Sequence, residues 1–83
     1  MIRFKLKNMI EEHEFKTGKR LLIQDLADAT KINRMTLSKI INQRGYNTSL
    51  DKLDKLCEFF KCDITDLIER ITFEEFEKIT KDD

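Results

Sequence analysis

The run NRMTLSKIIN, residues 33–42, separates two kinds of side chain at helical spacing. Leu37, Ile40 and Ile41 fall on one side, leaving Asn33, Arg34, Met35, Thr36, Ser38 and Lys39 on the other. Arg34 and Lys39 have the reach and the donors for guanine O6 and N7. Met35 can touch a thymine methyl, and Thr36 and Ser38 can meet a base edge or a phosphate. One good bidentate base contact discriminates by roughly 1–3 kcal/mol. The expected base-contacting set is therefore Arg34, Met35, Thr36, Ser38 and Lys39. Gln24, Asn33, Asn42, Gln43, Arg44, Tyr46 and Asn47 are the side chains expected to follow the sugar-phosphate backbone, which sets register without reading sequence.

Such a helix needs a second one to hold it. Residues 23–30, IQDLADAT, supply Leu26, Ala27 and Thr30, which with Ile32, Leu37, Ile40 and Ile41 point inward if two short helices meet at a tight turn. This is the layout of a helix-turn-helix, whose second helix, here about 33–42, enters a major groove. Asn33 caps it. Upstream, Leu6, Met9, Ile10 and His13 predict a helix over about 5–15 that stops before Gly18, with His13 at its boundary. Downstream, Leu50, Leu53, Leu56, Cys57 and Phe60 form the stripe of a helix over 50–60, capped by Ser49 or Thr48. A fifth helix begins after Asp63 or Ile64 and buries Leu67, Ile68 and Ile71. Phe15, Phe59 and Phe60 are assigned to the core. The fold class expected is all-α, a five-helix bundle with its core over about 6–70, in one domain spanning 1–83.

The ends leave two readings open. Ile2, Phe4 and Leu6 alternate with Arg3, Lys5 and Lys7 in the period of a strand, and Ile71, Phe73 and Phe76 can pair with them in a small two-stranded sheet, within one subunit or swapped between two. Alternatively, Phe73, Phe76 and Ile79 form a short sixth helix. The segments 2–4 and 71–76 hold apolar residues that five helices do not require, which makes them the candidate dimer surface.

With 83 residues, 40% hydrophobic and 39% charged, no Pro and two Gly, the chain is short and helical in character, and leaves little room for a catalytic cleft. There is no nucleophile placed with a base, no glycine-rich phosphate loop and no metal-ligand cluster, so no enzyme, metal or cofactor is expected. Cys57 and Cys62, with His13 far off, make no zinc site, and they read as a small buried residue and a helix-end residue with no disulfide. No apolar run approaches the ~20 residues of a membrane span, which predicts a cytoplasmic protein.

Net charge is zero, yet its distribution is uneven. Lys31, Arg34, Lys39 and Arg44 stand in 31–50 without an acid, and Arg3, Lys5 and Lys7 likewise in 1–10, whereas the tail after Cys62 is acidic. Singly, Arg34 or Lys39 is what any solvated helix face carries. Together, on an acid-free stretch, they describe a local basic face suited to phosphate.

The segments LADATKINRMTLSKIIN at 26–42 and LDKLDKLCEFFKCDITDLIE at 50–69 resemble the Cro and repressor-type helix-turn-helix proteins of the xenobiotic-response-element class. The resemblance covers about 6–68. It implies a five-helix DNA-binding bundle, a bacterial or phage-encoded transcriptional regulator, in most cases a repressor, associated with the nucleoid when bound. It also implies a homodimer on a double-stranded operator. Module size agrees, since one such unit buries only about 600–1,000 Å² on DNA. Two departures stand out. Lys31 occupies a turn position where the family has Gly, at a cost of about 1 kcal/mol, which predicts a wider turn. Leu22 and Ile23 open the second helix where a polar residue is usual, leaving Gln24 as the nearest side chain for a phosphate. The alternative function is a protein-interaction module, an antitoxin or adaptor, with the acidic tail from Glu69 to Asp83 contacting a protein partner.

Overall fold

A computed structural model describes residues 1–43, 45–72 and 74. In chain order they form β1 (Ile2–Phe4), α1 (Leu6–Thr17), α2 (Ile23–Thr30), α3 (Arg34–Asn42), α4 (Leu50–Phe60), α5 (Ile64–Leu67) and β2 (Ile68–Arg70). Five helices surround one cluster made by Leu6, Leu26, Ala27, Ile32, Leu37, Ile40, Leu53, Leu56 and Leu67. Leu6, Leu26, Leu37, Leu56 and Leu67 are fully buried, one from each helix. Burying each such side chain stabilises by roughly 1.5–3 kcal/mol.

The helix ends follow their residues. Gly18 closes α1 in the left-handed conformation at φ 69°. α2 has Leu22 at its N-cap and no side-chain cap there. Instead, the Asp25 carboxylate accepts the Leu22 N–H at 3.1 Å. Asn33 caps α3 by accepting the Met35 N–H at 2.7 Å, and Ser49, rather than Thr48, caps α4 by accepting from Lys52 at 3.3 Å. Thr30, the buried polar residue of the core, donates its hydroxyl to the Leu26 carbonyl at 2.7 Å and so carries no unpaired donor inward.

The sheet reading holds within one chain, and the partner strand begins earlier, at Ile68. β1 pairs antiparallel with β2 in the register Ile2↔Arg70, Arg3↔Glu69 and Phe4↔Ile68. α5 ends after a single turn, and the Lys5 N–H donates to the Leu67 carbonyl at 2.7 Å, so the chain enters the strand at Ile68. Pairing continues one step further, where Ile71 N–H donates to the Met1 carbonyl at 2.9 Å. Ile68 is half-buried in the strand rather than buried in a helix, and Ile71 is buried just past it. The expected roles of Phe73, Phe76 and Ile79 lie outside the described residues, as does the acidic tail beyond Glu74.

Three expectations about packing are corrected. Phe15 is 86% exposed rather than core. It sits two residues past His13, about 200° round the helix from the stripe that faces inward. Leu50 is 81% exposed. As the first residue of α4 its Cβ tilts toward the helix start, past the edge of the core. The turn between α2 and α3 is tight, not widened. Lys31 takes the left-handed conformation itself, at φ 62° and ψ 26°, and its N–H donates to the Ala27 carbonyl at 2.9 Å. Phe59 and Phe60 do pack on the core, half-buried, with His13 against both at ring distances of 5.5 and 5.9 Å. Cys57 and Cys62 are free and half-buried.

Candidate nucleic-acid interface

α2 and α3 pack through Leu26, Ala27, Thr30, Ile32, Leu37 and Ile40, all buried. This inward half turns the outer face of α3 to solvent and fixes which side chains it presents. Arg34, Met35, Lys39 and Asn42 are exposed, while Thr36 and Ser38 are half-buried.

The expected site residues divide into groups. Arg34, Met35 and Ser38 line one shallow depression together with Gln24 and Leu22 from the start of α2. Asn42 and Gln43 line a second groove, against Arg3, Lys5, Lys7 and Asn8 from β1 and the start of α1. Ile41 and Lys7 belong to both, so the two run on from one another along α3. Thr36 and Lys39 line neither. Tyr46 is half-buried and packs on the core, a position that holds the loop more than it offers a hydroxyl. Asn47 is exposed. Arg44 lies outside the described residues.

Several polar groups are already engaged. The Gln24 side-chain amide donates to Asp28 Oδ1 at 2.9 Å, leaving one further N–H. The Asn42 amide donates to Ser38 Oγ at 3.3 Å, which joins two expected contacts in one small network. Asn33 uses its carbonyl oxygen as the cap of α3, and its amide remains a donor.

The structure also brings forward residues that the sequence reading passed over. Arg20 lines the depression beside Gln24, and the dibasic Lys19-Arg20 immediately before α2 was the available signal. Arg3 and Lys7 flank the second groove, where the alternation of cations with apolar residues in 1–7 pointed only to a strand. Arg3 also faces Glu69 across the sheet at 3.5 Å, an exposed pair worth little to stability. The α1 wall of the depression carries two acids, Glu11 and Glu14. The Glu14 carboxylate accepts the Leu21 N–H at 2.8 Å and so holds the loop that leads into α2.

Two helices packed at a tight left-handed turn, the second offering arginine, methionine and serine on its outer face, define the helix-turn-helix class of DNA-binding proteins. The chain belongs to the family of Cro/C1-type helix-turn-helix DNA-binding domains, whose sequence profile matches residues 5–73. It is thereby a DNA-binding transcription regulator of a family that acts on double-stranded DNA and is typically not enzymatic. No significant match was found among curated proteins or among solved structures. Among the described residues, no helix is long and apolar enough to cross a membrane.

Proposed function

We propose that residues 1–83 act as one DNA-binding domain, and that the protein is a transcriptional repressor which occupies an inverted-repeat operator as a homodimer and blocks access of the polymerase. In this reading α3 lies in the major groove. Arg34, Met35 and Ser38 stand over base edges, with Thr36 and Lys39 on the flank. Gln24, Asn33, Asn42, Gln43, Arg44 and Asn47 follow the backbone, joined by Arg20, and Tyr46 supports the loop. The observation that carries the reading is the exposure of Arg34 and Met35 beside the start of α2, on a stretch without acids from Lys31 to Leu50. A twofold dimer would read half-sites about one helical turn, ~34 Å, apart.

Selection of bound duplexes from a random DNA library at physiological salt tests it, comparing the wild type with the R34A/K39A double variant. Recovery by the wild type of an inverted repeat that the variant loses is the expected result, and no enrichment by the wild type would sink it. Glu11 and Glu14 beside Leu22 and Met35 favour one other reading, a protein-docking surface for an adaptor or antitoxin. Salt separates the two. Several phosphate contacts make affinity fall steeply between low and physiological salt, and a mixed-charge protein interface makes it fall little.

A further inference from the structure

Met35 is 66% exposed and Leu22 is 50% exposed, and both line the depression that also holds Arg34, Ser38 and Gln24. A lone exposed apolar side chain needs no explanation. Here two of them, one at the N-cap of α2 and one in α3, share one recess with a guanidinium, a hydroxyl and an amide, on the face that α3 turns to solvent. Ile23 and Ile41 continue the apolar lining. Charge in the recess is mixed, with Lys7, Arg20 and Arg34 set against Glu11 and Glu14, and it is the apolar lining between them that suits base edges. In a major groove those edges are almost wholly polar, and the apolar group they offer is the C5-methyl of thymine.

Resting on the reading of α3 as the groove helix, we propose that Met35 and Leu22 together form a receptor for a thymine C5-methyl, so that each half-site requires a thymine beside the base read by Arg34. Specificity at that position comes from burying the methyl rather than from a hydrogen bond. Leu22, which displaces the polar residue expected at the start of α2, becomes part of the reading surface. The flexible thioether of Met35 suits a group whose position shifts with local DNA geometry.

The test uses the full chain and the duplex selected by the wild type, with each thymine of one half-site replaced in turn by deoxyuridine, which removes only the methyl. Burial of one such carbon is worth about a fourfold change in affinity. At one position the wild type loses about fourfold, L22A loses part of that sensitivity, M35L keeps it, and M35A binds the thymine and deoxyuridine duplexes alike. Because both side chains are exposed, folding of the variants is not at stake. A selected duplex in which no deoxyuridine weakens the wild type, or in which M35A responds as strongly as the wild type, overturns the methyl receptor alone. Failure to select any duplex overturns the groove reading and this one with it.

Discussion

Lys31 offers the most direct perturbation of the turn that orients α3. Its φ of 62° and ψ of 26° place an L residue in the left-handed region, which costs roughly 1–2 kcal/mol. Lys31→Gly removes that cost. Glycine also loosens the unfolded chain, which returns about 0.4–1 kcal/mol. The net expectation is a gain of about 0.5–1 kcal/mol, and for a domain of this size a melting temperature higher by about 2–8 °C. Lys31 is exposed, and the N–H that donates to Ala27 is retained by glycine, so nothing else in the turn is lost. Thermal unfolding followed by circular dichroism reads the change, with Lys31→Ala as the control. Alanine keeps the Cβ and with it the strain, and its expected change is within ~0.5 kcal/mol of zero. If Lys31→Gly melts at or below the wild type, or Lys31→Ala gains as much as glycine, the strain argument is wrong.

Leu37→Ala, at a fully buried position of α3, is expected to cost about 2–5 kcal/mol, a large part of the 5–15 kcal/mol typical of a whole domain, and urea unfolding will show it as a lower midpoint. The Cys62 thiol is pushed up from an ordinary 9.0 to about 11, first by burial and then by the neighbouring Cys57, Asp66 and Asp63. The unfolded thiol ionises near 9 and the folded one near 11. Its contribution is intact below pH 9 and lost as pH rises through 9–11. Cys62→Ala should therefore lose less stability than the wild type between pH 8.5 and 10.5 in urea titrations, and equal losses would refute the shift.

How much of this was legible in the sequence depends on which physical signal each residue carried. The inward half of the helix-turn-helix was readable because Leu26, Ala27, Thr30, Ile32, Leu37 and Ile40 follow the helical period across a short turn, and all six are buried. Phe15 is core by residue type and solvent-facing by position, and its place about 200° from the stripe decides, leaving it exposed. β2 was obscured for a different reason. The four residues of α5 are too few to display a period, and only the tertiary bond from Lys5 to Leu67 fixes where that helix stops. The opposed charges Arg3 and Glu69 were a cross-strand pair in waiting, but nothing local says that residues 66 apart will meet. The depression was illegible as a unit, since it joins Glu11 of α1, Arg20 and Leu22 ahead of α2, and Met35 of α3.

The two departures from the family's pattern bear on what sets the geometry of the reading face. Neither a polar N-cap on α2 nor a glycine at the turn is present, yet the turn closes tightly. The strain at Lys31 is roughly 1–2 kcal/mol, whereas burial of Leu26, Ile32 and Leu37 contributes roughly 1.5–3 kcal/mol each. Packing therefore outweighs local preference, and Asp25 replaces part of the missing cap by accepting the Leu22 N–H. The orientation of α3 is held from inside the bundle, while Arg34 and Met35 contribute almost nothing to holding it. Substitutions on the outer face can then alter which base sequence is preferred without loosening the scaffold, whereas a change at Leu37 removes the reading face together with the fold that aims it.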